Sequence, residues 1–179
     1  MTPYEEFNFE GQFEDVLPSE RYENLSNGPA LKAAKFYFEK AAENKLNIKK
    51  GEEFLRFAED QFVVWSDPQP RPSMNGQWLS LPCAMEQYKC YVPIDVHAAS
   101  FVRAFFQAYQ VTNNELYLAK AIALANSITR AQDPSSGIYP TWWINRIYDT
   151  PGWINCAIET AIAMDEFGKE IDHMHIRIN

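Results

Sequence analysis

The chain has 179 residues, of which 46% are hydrophobic and 15% aromatic, and its formal net charge is −8. This length and apolar content suit one globular domain with a sizeable core. The acidic balance argues against nucleic acid as a partner, because nucleic-acid recognition needs basic patches that replace phosphate counterions. A membrane is not an expected partner either, since no apolar run approaches the roughly 20 residues of a membrane-spanning helix.

The cysteines and histidines do not form a recognisable metal-binding pattern. Cys83, Cys90 and Cys156 lack zinc-binding spacing among themselves and with the three histidines, so we expect no metal and no other cofactor. Cys83 and Cys90 either pair in an oxidising compartment or remain free buried thiols. Residues 1–10 are acidic and lack the basic region and apolar stretch of a signal peptide.

The first third of the chain predicts an irregular segment followed by two helices. Proline, glycine, serine and asparagine interrupt residues 1–28, so the single helical domain is expected to cover residues 29–179. A first helix is expected to begin at Pro29, a favoured residue in an opening turn. Residues 44–49 are predicted to form a polar turn. A second helix is expected from residue 51 to about residue 65, where apolar side chains recur at helical spacing.

The middle of the chain predicts a long loop and a second pair of helices. Residues 67–92 contain four prolines and several aromatic residues, and ordered loops of this length are usually functional or pack over another part of the protein. A third helix is expected over residues 93–111. Asn113 or Asn114 then caps a fourth helix, which extends to about residue 132.

The last part predicts a turn, a second aromatic loop and a fifth helix. Residues 133–137 read Asp-Pro-Ser-Ser-Gly, a strong turn signal. The fifth helix is expected to begin at Pro151 after a Thr150 cap, and to end near Gly168. The loop between them is rich in large aromatic side chains, namely Tyr139, Trp142, Trp143 and Tyr148.

An internal repeat organises these helices. The sequences Ser-Asp-Pro at residues 66–68 and Gln-Asp-Pro at residues 132–134 lie 66 residues apart. At the same offset the first helix falls on the third and the second on the fourth, which predicts repeated two-helix units. The fifth helix then begins a third unit.

The third helix has an unusually narrow polar stripe. Its polar residues recur at spacings of three and four, and the intervening residues are nearly all apolar. This pattern suits either an inner-ring helix whose stripe lines a central axis or a core helix with a thin solvated edge. The stripe consists of His97, Ser100, Arg103, Gln107 and Gln110.

Three stretches carry a resemblance to a known family. They are residues 87–95 and 97–99 (QYKCYVPID and HAA), residues 118–132 (LAKAIALANSITRAQ) and residues 137–143 (GIYPTWW). The chain resembles the six-hairpin glycosidase-like superfamily, particularly members from gut-type Bacteroidetes, over about half of its length. The resemblance implies an all-α fold of antiparallel helical hairpins, with about five main helices that form part of an (α/α)6 toroid.

The resemblance also implies a function. We expect a carbohydrate-active protein with a carbohydrate ligand, part of a glycoside hydrolase or polysaccharide-degrading enzyme, with lyase or epimerase chemistry as less favoured reactions. Relatives in this superfamily are often periplasmic or secreted. A partial toroid exposes apolar helix faces, which a homo-oligomer or a complementary toroid segment would cover. The alternatives are a non-catalytic glycan-binding or subunit-interaction module and an incomplete toroid without independent activity.

Two carboxylates are the candidate catalytic residues, because glycoside hydrolysis usually requires a pair. Asp149 adjoins the tryptophan loop. Asp95 follows Pro93 at a helix start, where an acid commonly caps the helix or interacts with its dipole instead.

Six further side chains are candidates for substrate binding. Aromatic rings can stack on a sugar or seal the ends of helices, and the candidates of this kind are Tyr139, Trp142, Trp143 and Trp153. His97 either orients a sugar hydroxyl or is an ordinary satisfied histidine. Arg103 either binds a uronate carboxylate or pairs with a neighbouring acid.

Overall fold

The structure is a computed structural model that describes residues 26–66, 80–86, 93–143 and 152–174. Most of these residues are helical, so the all-α class is confirmed. Its elements in chain order are α1 (Asn27–Glu39), α2 (Lys45–Phe62), β1 (Val63–Val64), β2 (Cys83–Ala84), α3 (Asp95–Thr112), α4 (Glu115–Ala131) and α5 (Ile154–His173). None of the helices in these ranges is both long and apolar enough to cross a bilayer.

The first hairpin begins its second helix earlier than predicted. The side chain of Asn44 accepts a hydrogen bond from the backbone N–H of Leu46, at 2.9 Å, and thereby caps α2. Residues 45–49 are therefore helical, and the prediction of a polar turn there was wrong. Helix α1 likewise starts two residues before Pro29, at Asn27.

The second hairpin follows the prediction closely because two adjacent asparagines separate its helices. Asn113 ends α3 in the left-handed conformation, with φ of 55°, which asparagine tolerates better than most residues. Asn114 caps α4 by accepting a hydrogen bond from Leu116 N–H at 3.1 Å. Asn113 thus ends α3, and Asn114 caps the start of α4.

Helix α5 continues through Gly168 to His173, so the predicted end at this glycine was wrong. Phe167 is 4% exposed and Ile171 1% exposed, and both belong to the core. A glycine within a helix costs about 1 kcal/mol relative to alanine. Burial of one isoleucine side chain contributes roughly 1.5–3 kcal/mol, so packing of the last turn outweighs the local preference to stop.

Helix α3 lies at the centre of the described structure. It packs on α4, α5 and α1 and also contacts α2, while α1 and α2 pack on each other. Its side chains of Phe101, Val102 and Phe105 are completely buried. Its polar stripe from His97 to Gln107 remains partly accessible, as the narrow spacing predicted.

Short extended segments pair with one another next to the start of α3. Strands β1 and β2 pair antiparallel, with Val63 opposite Ala84 and Val64 opposite Cys83. Single bridges then join Met85 to Pro93 and Ile94 to Trp142. Two-residue strands are too short to give a periodic signal, so the sequence did not predict them. They bring residues 83–85 and Trp142 together beside the start of α3.

Candidate functional site

The residues that could perform chemistry lie mainly where α1, α3 and α5 begin. Asn27 N–H donates to the carbonyl of Glu86 at 3.0 Å, and Asp95 N–H donates to the carbonyl of Thr141 at 3.1 Å. Thr141 Oγ1 is 3.5 Å from the carbonyl oxygen of Trp153, at the start of α5. We call this region the aromatic end and define it by Asn27, Glu86, Asp95, His97, Trp142 and Trp153.

Asp95 is a completely buried carboxyl group that links α3 to α5. Its Oδ2 accepts a hydrogen bond from the Thr160 hydroxyl at 3.0 Å, whereas its Oδ1 has no hydrogen-bond partner in the described part of the chain. Burial raises the pKa of Asp95 to about 6, and the hydrogen bonds from the Val96 backbone N–H and from the Thr160 hydroxyl oppose this shift only in part. A carboxyl group with this pKa holds a proton under mildly acidic conditions. In this conformation, however, solvent does not reach it.

His97 has partners on both ring nitrogens. Nδ1 lies 2.9 Å from Asn27 Oδ1, and the amide nitrogen of Asn27 donates to the Met85 carbonyl at 2.7 Å. Because the Asn27 oxygen is thereby the acceptor, His97 Nδ1 carries a proton. Nε2 lies 3.5 Å from Glu86 Oε1. This geometry is that of the satisfied histidine considered from the sequence, with Glu86 partly exposed beside it.

The four aromatic candidates differ in how far their rings are exposed. Trp142 and Trp153 pack edge to face, with ring centroids 5.3 Å apart, and Trp153 is 49% exposed. Trp143 is completely buried, and its ring fills the core as the helix-sealing alternative expected. Tyr139 is partly buried, and this burial raises its pKa. Of these four aromatic candidates, Trp153 thus offers the most accessible ring.

Arg103 lies away from the aromatic end, two turns further along α3. It borders a groove of about 500 Å³ between α1, α3 and α5. Its Nη2 is 2.7 Å from Glu166 Oε2, and its Nη1 is 3.9 Å from Glu159 Oε2. The guanidinium group is therefore engaged by acids of α5, which is the ion-pair alternative considered from the sequence.

Three contributors to this region were missed at the sequence level. Asn27 and Glu86 come from segments expected to be irregular, and Thr160 was not singled out on the fifth helix. Cys156 also lies nearby, and burial, followed by the charges of Asp95 and Glu86, raises its pKa to about 11. Its thiol is therefore neutral at physiological pH. No local spacing links these residues, since their contacts join positions about 60 to 70 residues apart.

Two other predictions concern residues outside this cluster. Asp149, the preferred catalytic carboxylate, lies outside the described residues. Cys83 is a free, completely buried thiol whose pKa burial raises to about 12. The described ranges contain no group of three or more histidine, cysteine, aspartate or glutamate residues suited to hold a metal ion.

No protein-family model matches the chain, and no curated protein matches it at a significant level.

Proposed function

We propose that the chain is part of a carbohydrate-active protein of the six-hairpin type, and that the aromatic end binds the sugar. The observation that supports this most is the Trp142–Trp153 pair, whose ring centroids lie 5.3 Å apart, with the second ring half exposed. The start of α3, with Asp95 and His97, is hydrogen-bonded to the same loop.

The chemistry of sugars matches this combination of groups. One face of a pyranose ring is a patch of C–H groups that packs on an indole, while its hydroxyls need hydrogen-bond donors and acceptors at the edge. Trp153 supplies the apolar surface in this proposal. Glu86, which is partly exposed, accepts from a hydroxyl, and His97 holds Glu86 in position.

The order in which the helices pack on one another supports the proposed toroid. Helix α3 packs on α1 and on α5, so the first helix of each unit lies next to the first helix of the following unit. The second helices, α2 and α4, pack on the first helices of their own hairpins. Repeats that contact only their neighbours and bury a continuous core in this way extend readily into a ring.

Glycoside hydrolysis requires a pair of carboxyl groups, and in this proposal they are those of Asp149 and Asp95. The raised pKa of Asp95 is the property required of a proton donor to a glycosidic oxygen. Its complete burial, however, favours the second candidate function, a non-catalytic glycan-binding module in which Asp95 only joins α3 to α5.

The proposal predicts that Trp153→Ala weakens sugar binding about 10-fold or more, because the stacking surface is lost. The probes are oligosaccharides of xylan, arabinan, mannan and pectin, screened on a glycan array and followed by calorimetric titration. Phe36→Ala is the matched control, since Phe36 is 55% exposed on α1 but lies outside the aromatic end.

Two results would contradict the proposal. The first is an absence of binding of the wild-type chain to every probe at millimolar concentration, which would remove carbohydrate as the ligand. The second is an equal affinity of Trp153→Ala and wild type, which would place the sugar elsewhere on the protein.

A further inference from the structure

Two buried polar atoms near the start of α3 have no hydrogen-bond partner among the described residues. One is the carboxyl oxygen Oδ1 of Asp95, and the other is the indole nitrogen Nε1 of Trp143. Both side chains are completely buried. A buried polar group of this kind is rare in folded proteins, because it has lost its bonds to solvent and gained none in return. The two atoms therefore indicate a polar partner that the described part of the chain does not supply.

The backbone places these two side chains on the same face of an extended pair. Asp95 N–H donates to the Thr141 carbonyl at 3.1 Å, and Trp143 N–H donates to the Pro93 carbonyl at 2.9 Å. Side chains alternate between the two faces of an extended chain, so Trp143 shares a face with Thr141 and with Asp95 opposite it. Asp95 and Trp143 are thus diagonal neighbours, whose side chains are long enough to approach each other. They do not bond each other directly.

We propose that one internal water molecule bridges Trp143 Nε1 and Asp95 Oδ1. The water accepts a hydrogen bond from the indole N–H and donates one to the carboxyl oxygen. Buried waters in proteins typically join polar groups that are otherwise unsatisfied, and they span pairs too far apart for a direct bond. The hydroxyl of Thr141, which is buried on the same face, has lone pairs that can accept the second proton of the water.

The chemistry of the two atoms selects water among small ligands. The indole N–H only donates, so it disfavours a cation, and the carboxylate disfavours an anion. A sugar hydroxyl would bring its ring with it, and neither atom is accessible from the surface. Water also suits both ionisation states of Asp95, whose pKa burial raises to about 6, because it donates to a carboxylate and accepts from a carboxyl group.

The bridge joins three segments of the aromatic end. It links the loop that contains Trp143 to α3, and the hydrogen bond from the Thr160 hydroxyl to Asp95 continues this link to α5. The water is independent of the sugar-binding role, since it lies on the face of the extended pair opposite Trp142 and contacts no ligand.

Crystal structures of the wild type, Trp143→Phe and Trp65→Phe test the proposal. In the wild type we expect one water within hydrogen-bond distance, about 2.7–3.2 Å, of both Trp143 Nε1 and Asp95 Oδ1. Trp143→Phe keeps an aromatic ring in the core but removes the N–H donor, so we expect the water to be lost. Trp65→Phe is the matched control that retains the water, since Trp65 Nε1 donates to Glu59 Oε1 at 3.0 Å and takes no part in the bridge.

NMR of the wild type is a second measurement that does not require either variant to fold. The indole proton of Trp143 is expected to show a nuclear Overhauser effect to water, with the sign of a water that stays bound longer than the protein tumbles. Absence of this effect overturns the proposal. It is also overturned by a direct bond between Trp143 and Asp95, by two separate waters, or by a water that persists at full occupancy in Trp143→Phe.

Discussion

Between pH 3 and pH 7 the free energy of unfolding of the wild type is expected to fall by about 3 kcal/mol more than that of the Asp95→Asn variant. The folded protein raises the pKa of Asp95 to about 6 because the group is buried, whereas the unfolded chain leaves it near 3.8. Over this window the folded state therefore holds the proton more tightly than the unfolded state, and wild-type stability falls as pH rises. Asparagine does not titrate and loses this dependence, and a shift of one pKa unit corresponds to about 1.4 kcal/mol.

Urea denaturation at a series of pH values would measure this difference for wild type and Asp95→Asn. Asp133→Asn is a useful comparison of opposite sign, since hydrogen bonds from Ser135 and Ser136 lower the pKa of Asp133. Its carboxylate therefore stabilises the protein above the unfolded pKa, and the contribution is lost as pH falls. If the free energy of unfolding depended on pH in the same way for wild type and Asp95→Asn, the assignment of Asp95 as a buried carboxyl group that retains its proton would be contradicted.

Truncation of Phe105 to alanine is expected to lower the free energy of unfolding by about 3–5 kcal/mol. Its ring is completely buried on α3, and three aromatic rings lie around it, those of Trp65 at 6.0 Å, Phe101 at 5.8 Å and Tyr117 at 6.3 Å between centroids. The ammonium group of Lys120 lies 5.4 Å from the Phe105 centroid. The substitution therefore removes contacts at the junction of α2, α3 and α4 and leaves a cavity among rigid rings.

Denaturant unfolding of Phe105→Ala, with an unchanged dependence on denaturant concentration, would measure this loss. The expected cost is a large part of the roughly 5–15 kcal/mol of total stability in a domain of this kind. Phe36→Ala, at a half-exposed position of α1, should change stability by only about 0.5 kcal/mol. A cost below about 1 kcal/mol for Phe105→Ala would show that this junction is not the core of the fold.

The helices could be predicted where the decisive interactions are local. Asn114 caps α4 through its own neighbour Leu116, and the caps and spacing of such residues are visible in the sequence. The end of α5 could not be predicted in this way. Gly168 signals a stop locally, but Ile171 is buried by distant parts of the chain, and this packing decides the boundary.

The exposure and neighbours of the candidate site residues could not be predicted from the sequence. Trp143 and Trp153 have the same chemical character in the sequence, yet one is completely buried and the other half exposed. Their difference depends on how the start of α5 meets the loop before it. A Cβ atom on Gly152 would clash with the side chain of Thr141 and lie 2.9 Å from its backbone nitrogen, so this close approach is possible only at a glycine. Contacts of that kind between separate segments leave no periodic signal.

The indole N–H resonances of the five tryptophans provide the most direct test of the sugar-binding role of the aromatic end. Each tryptophan gives one such signal, which single tryptophan-to-phenylalanine variants assign. Titration with the oligosaccharide that binds best is predicted to shift the signals of Trp142 and Trp153 and to leave that of Trp65, beside Phe105, unchanged. Saturating sugar that leaves both Trp142 and Trp153 unshifted would contradict the account.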